Sequence, residues 1–214
     1  MSVTWDPECV FCRSNPRRVW EEDGLAVCSD PAPLRQGHLL IYTTEHYPSA
    51  ADMDAQAAER LDALEADLGK RICAEFGDYV LFEHGRTGHC LRSRPGERLC
   101  HHMHVHMIPG ALDLRGYAGI AQEIEISSWR DVLALGSDVD GYVVIGNAHE
   151  KVVAPLTRSL PPHHLRTVIA RANATPDLAD WELALAGEEV SLVAAASHST
   201  VVALVENFRF ARAT

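Results

Sequence analysis

The stretch CHHMHVHMIPG, residues 100–110, places four histidines within six positions. Three of them, His102, His104 and His106, alternate with Met103 and Val105. A two-residue period is that of a β-strand, so the three imidazoles share one face, with neighbours about 6.5–7 Å apart along the chain. Met103, Val105 and Met107 take the opposite face and are expected to pack against a helix. His101 has the parity of the apolar set, which places it near the strand end and outside the array. Pro109-Gly110 closes the strand. A polar face that merely happens to be imidazole is the plain reading, and three in register argue against it. Two sharper readings stay open from the spacing alone: the histidines share a metal, or they line an anion site in which one acts as nucleophile.

Working outward, DYVLFEHG reads as a buried strand before the histidines, followed by a loop over GRTGHCLRSRPGER. Upstream lies the clearest helix, with Met53, Ala57, Leu61, Leu64, Leu68, Ile72 and Phe76 recurring at steps of three or four. Ser49 is its expected cap, with Asp52 three residues on, and Gly77 its stop. GHLLIYTTEH is a strand after the turn-forming DPAPLRQG, and Asp23-Gly24 marks a hairpin. In the second half, ISSWRDVLAL reads as a serine-capped helix and GYVVIGNAHEKVVAPL as a hairpin around Gly146-Asn147. LPPHHLRTVIARANA reads as a helix with prolines in its first turn and a Leu165, Val168, Ile169, Ala172 stripe. A last helix is expected within GEEVSLVAAASHSTVVALVENFRF. This order of elements predicts an α+β fold.

At 214 residues the chain can bury a core without disulfides. Its 47% hydrophobic and 23% charged content is that of a globular protein. A net charge of −11 argues against a long basic groove for extended nucleic acid. There is no apolar run of about 18 residues, so no membrane span is expected. The first residues, MSVTWDPECVFC, lack a secretory pattern, and a cytoplasmic location is expected. The six cysteines then read as thiols or metal ligands. Cys28 and Cys73 lie in apolar runs and read as core thiols. Cys9-Val-Phe-Cys12 has the spacing of a metal knuckle, which a redox pair shares. His84, His89, Cys90 and Cys100 form a second group rich in histidine and cysteine, with no recognisable ligand spacing. Arg166, at a helix start where an anion could bind, reads by default as solvated surface.

HMHVHMI fits the pattern His-φ-His-φ-His-φ-φ, with φ apolar, and a proline follows. Together with ECVFC, GHLLIYTTEHY and LFEHG in the same order, it resembles the histidine-triad (HIT) superfamily of nucleotidyl hydrolases and transferases over about residues 9–110. The resemblance implies a HIT-like antiparallel sheet with a long helix in residues 1–115. A C-terminal α/β extension, residues 116–214, would pack on it and shape the leaving-group side of the pocket. It also implies a nucleotide or nucleotide conjugate as substrate, attacked at the α-phosphate by His104 to give a covalent nucleotidyl-histidine. His106 would stabilise the phosphate oxygens, and Glu83, His84 and Gly85 would lie near the phosphates. By match to zinc-carrying members, Cys9, Cys12, His46 and His102 would hold a structural zinc. The chain departs from the pattern at PGERLCHH, where many HIT hydrolases carry Gly-Gln and then Ser or Thr; Arg98 would be the substitute phosphate donor there. A non-enzymatic nucleotide-binding regulator and a zinc hydrolase with metal on the triad itself are the rivals. A homodimer is left open.

Overall fold

The computed structural model describes residues 5–7, 9–87, 101–112, 114, 122–136, 139–158, 160–161, 163–180 and 188–206. Arg98, His89, Cys90 and Cys100 lie outside the described residues.

The Asp23-Gly24 turn joins β1 (Arg18–Glu22) to β2 (Leu25–Ser29), and both turn residues have positive φ, 49° and 82°. Two positive φ angles are what a two-residue hairpin loop needs to match the twist of its strands. β3 (Leu39–Thr43) is followed by α1 (Ala55–Phe76), β4 (Tyr79–Gly85) and β5 (His104–Pro109). After these come β6 (Ile124–Ile126), α2 (Trp129–Leu133), β7 (Tyr142–Asn147), β8 (Lys151–Pro155), α3 (His164–Ala172) and α4 (Glu188–Val205). All described strands join one antiparallel sheet in the order β1-β2-β3-β5-β4-β7-β8-β6. The architecture is α+β, as expected. No described helix is long and apolar enough to cross a membrane.

The long helix starts later than its apolar stripe predicts. Ser49 gives its hydroxyl to Asp52 Oδ2 at 2.6 Å, and residues 50–52 form only a 3₁₀ turn. Asp54 is the α-helical cap, accepting the Ala57 N–H at 2.7 Å. Gly77 ends the helix at φ 85°, as its position predicts. Similarly, Pro161 precedes α3 and does not lie in its first turn. The β7–β8 connection falls at residues 148–150, just past Gly146-Asn147, where Asn147 Oδ1 accepts the amides of His149 and Glu150. Ser128 caps α2 in a capping box with Asp131.

β5 lies inside the sheet between β3 and β4, and its pleat divides the core. Met103, Val105 and Met107 join Leu61, Leu64, Leu68 and Ile72 of α1 in one apolar cluster, with Trp129 and Val201 from later helices. On the other face α3 sends Leu165 and Ile169 against Val80, Phe82, Ile108, Val143 and Ile145. The remainder of that face carries Ala26, Cys28, Leu40 and Tyr42, covered by Phe11 of the N-terminal segment. Cys28 is buried, while Cys73 is half-buried. Between these two covers the histidines meet a gap.

Gly85 faces Tyr142 across the β4–β7 ladder, and a Cβ built on it would overlap the Tyr142 ring. That ring is fully buried, so it cannot swing away. Gly85→Ala should therefore lower unfolding free energy by about 1–3 kcal/mol, the usual penalty of overpacking. Urea denaturation of the two proteins checks this.

Candidate functional site

Three backbone partners fix where the protons of the triad sit. Nε2 of His102 lies 2.7 Å from the Thr43 carbonyl, so it carries the proton and Nδ1 keeps a lone pair. Nδ1 of His104 donates to the His102 carbonyl at 2.7 Å, leaving the lone pair on Nε2. The third case runs through a further ring. The Leu34 amide donates to Nδ1 of His38 at 3.2 Å, so His38 Nε2 holds the proton and donates to His106 Nδ1 at 3.0 Å. His106 is thereby set with its proton on Nε2, which is buried and has no hydrogen-bond partner among the described residues. Burial holds His104 below the ordinary histidine range and His106 well below it, and pushes His38 down to about 4. All three rings are neutral at pH 7.

His102 turns its Nδ1 away from the other two rings and toward the N-terminal segment. Cys9 Sγ lies 3.3 Å from it and Cys12 Sγ 3.7 Å, while His46 Nδ1 is 3.2 Å from both Cys12 Sγ and His102 Nδ1. A tetrahedral divalent ion with sulfur and nitrogen ligands has edges of about 3.3–3.8 Å. Cys9, Cys12, His46 and His102 thus form a group able to hold a metal ion. The Thr43 carbonyl that orients His102 is the outer partner such a ligand requires. Asp30, His38 and His106 also approach one another. There, however, Arg166 Nη1 already donates to Asp30 Oδ2 at 2.7 Å, and the His38 proton points at His106. A cation between them would meet a guanidinium and an N–H.

The cavity beside the triad has a volume of about 310 Å³. His104, His106 and His84 form its floor, Val10, Phe11 and Arg17 one wall, and His163 and Arg166 the other. The Phe11 ring lies 4.8 Å from that of His104, and Phe82 stacks on His106 at 4.3 Å. Of the three residues expected near phosphates on β4, only His84 lines this cavity. Glu83 and Gly85 point to the opposite face, because Phe82 is the residue paired with His106 and its neighbours alternate. Glu83 accepts from the Ala50 amide at 2.8 Å and from the Tyr142 hydroxyl at 3.2 Å. Arg166 is buried at 3% exposure, not solvated, and also donates to the Ala32 and Leu178 carbonyls.

The chain resembles histidine-triad proteins. A hypothetical histidine triad nucleotide-binding protein from Sulfolobus tokodaii strain 7 is 21% identical at a TM-score of 0.35, covering 47% of this chain and 68% of that one. A HIT family hydrolase from Legionella pneumophila Philadelphia 1 is 23% identical at 0.35, covering 49% and 95%. A HIT family protein from Bacillus anthracis is 18% identical at 0.38, covering 54% and 87%. No family model matches the sequence, and no curated protein matches it.

Sequence reasoning missed Asp30, His38, His163 and Phe11. A signal for His38 existed: it has the even parity of Leu40 and Tyr42, which pair with His106 and His104. Asp30 and Arg166 are 136 residues apart, and no local pattern joins them.

Glu83 offers a test of burial. Desolvation pushes its carboxyl up to about 7 from an ordinary 4.5. The folded chain then holds a proton that the unfolded chain has released, so stability is full below about 4.5 and falls as pH rises to about 7. Glu83→Gln keeps an acceptor for Ala50 and removes the titration. Across that window the wild type should lose about 1–3 kcal/mol relative to the variant. Denaturant melts at matched pH values measure the difference, and parallel curves would refute it.

Proposed function

We propose that the chain is a HIT-superfamily nucleotidyl hydrolase or transferase acting at the α-phosphate of a nucleotide conjugate. The observation that carries this reading is the bond from His104 Nδ1–H to the His102 carbonyl, in a cavity shared with His106. It puts a neutral imidazole with its lone pair on Nε2 where a phosphate can enter. His104 Nε2 forms a bond to phosphorus as the bond to the leaving group breaks, and the leaving group departs with that electron pair and takes up a proton. His106 Nε2–H donates to a non-bridging oxygen, whose charge grows in the transition state. Water or an acceptor hydroxyl then attacks phosphorus and releases its proton, while the lone pair returns to Nε2. In this reading residues 1–115 carry the chemistry and residues 116–214 shape the leaving-group side. Arg98, in the segment before the triad, is a further phosphate donor.

Cys9, Cys12, His46 and His102 would hold a zinc ion, which two thiolates and two imidazoles suit. Its contribution is to folding: it ties the N-terminal segment to the strand that carries the triad. His102, as a ligand, has its lone pair engaged and is unsuited to attack. Without a cation, burial pushes the Cys12 thiol up to about 11.

Two outcomes follow. The purified protein should contain about one zinc per chain by elemental analysis. Replacing both Cys9 and Cys12 by Ser should release it and lower the melting temperature, since metal binding is linked to folding. Full occupancy in the double variant would remove the assignment. His104→Asn should reduce turnover by several orders of magnitude while nucleotide binding persists. Wild type quenched during turnover of a nucleotide conjugate should carry one acid-labile nucleotide on the His104 peptide. Normal turnover by the variant, or an adduct elsewhere, would exclude the mechanism.

A further inference from the structure

Asp30 meets the histidine relay with one atom, and a residue from the second half of the chain holds that atom. Its Oδ2 lies 3.6 Å from His38 Nε2 and 3.8 Å from His106 Nδ1, about equally far from the two ends of their 3.0 Å hydrogen bond. Neither distance is itself a hydrogen bond. The carboxylate is nonetheless a rival acceptor for the proton on His38 Nε2, and a charged acceptor makes a bond about twice as strong as a neutral one. The ring geometry still gives that proton to His106.

Arg166, in the first turn of α3, accounts for the difference. Its Nη1 donates to the same Oδ2 at 2.7 Å, while Asp30 Oδ1 accepts the Ala32 amide at 2.8 Å. The rest of the guanidinium is engaged as well: Nη2 donates to the carbonyls of Ala32 and Leu178, and Nε to that of Ala179. It cannot swing away, and a buried ion pair is little screened by salt. A clasp that only docked α3 on the β2–β3 connection would not need its oxygen at the midpoint of a histidine–histidine bond. The other titratable groups of this face are His104 on β5, His84 on β4, Cys28 on β2, and Arg17 and His163 on the two walls. Burial is the main force against a second proton on His38; Asp30 favours one and Arg166 opposes it.

We infer that Arg166 is a positioning residue of the site: by holding Asp30 Oδ2 it reserves the His38 Nε2 proton for His106 and keeps His106 neutral, with its own proton on Nε2. Only the use made of His106 rests on the proposed phosphoryl chemistry; the positioning needs no ligand. With Arg166 removed, Oδ2 would compete for the His38 proton and draw a further proton onto the pair. His106 Nδ1 would then lose its donor or gain a hydrogen of its own. A helix outside the histidine motif thereby sets the protonation of a triad member it does not touch.

The test follows His38 and His106 by long-range ¹H–¹⁵N spectra of the full chain from about pH 5 to 8, where histidines ordinarily titrate. In wild type both rings should stay neutral, with His106 in the Nε2–H form. In Arg166→Met the pair should take up a proton, with the pKa at His38 rising from about 4 to the ordinary 6.5 or above. In the double variant Asp30→Asn, Arg166→Met, which removes both charges, the wild-type protonation should return. A role confined to docking α3 would shift both variants alike or neither. If the Met variant does not fold, Arg166→Gln, which keeps a donor toward Oδ2 without the charge, takes its place with the same rise expected. A charged His38 or His106 at pH 7 in wild type, unchanged titration in a folded single variant, or a rise that persists in the double variant overturns the inference. Unchanged titration alongside an adduct on His104 would leave the nucleotidyl-transfer reading standing. The expected rise without any adduct would do the reverse.

Discussion

The pleat of β5 is the constraint on which everything else rests. The strand is hydrogen-bonded along both edges, to β3 and to β4, so no residue can turn its side chain over without a break in two ladders. A slip of one position would bury three imidazoles against α1 and bring Met103, Val105 and Met107 into the cavity. The methionines and the valine are at most 1% exposed, and the helix stripe that receives them is fully buried. The hydrophobic free energy of that contact, about 1.5–3 kcal/mol for each large side chain, holds the register. The histidine face is therefore positioned by packing on the opposite, apolar side of the strand.

Position alone does not make an imidazole useful, since the same ring can present a proton or a lone pair at either nitrogen. In this chain the choice is made by main-chain groups. The Thr43 carbonyl, the His102 carbonyl and the Leu34 amide assign one role each to His102, His104 and, through His38, His106. Carbonyls and amides do not titrate, so the assignment holds for as long as the rings are neutral. The buried Asp30–Arg166 pair stands beside this relay and satisfies both charges, Arg166 with two carbonyls besides. Removing either partner would leave an unpaired buried charge, which costs about 3–5 kcal/mol.

Features written in local periodicity were legible in the sequence. The alternation of residues 102–107, the stripe of α1 and the stop at Gly77 all reappear in the structure. The four residues chosen for a metal by motif likewise converge, although they come from three separated segments. The helix start was hidden because two residues able to cap, Ser49 and Asp54, stand near the start of the stripe, and only backbone geometry decides between them. The grouping of Glu83, His84 and Gly85 as one site ignored the strand period, which puts the middle residue alone on the cavity side. Contacts of long sequence separation, such as Arg166 with Asp30 and Leu165 with His84, leave no trace in any short window.

Phe11 lies between the two cysteines of the CxxC pair and at the same time walls the cavity, with its ring against both His102 and His104. A ligand resting on that ring and an ion held by its neighbours would be two occupants of one segment. Thermodynamic reciprocity then applies: whatever factor the ion adds to the affinity for the ligand, the ligand must add to the affinity for the ion. With a favourable coupling the knuckle would keep its ion longest in molecules that hold ligand, and a chelator would strip empty molecules first; with an unfavourable one the order would reverse.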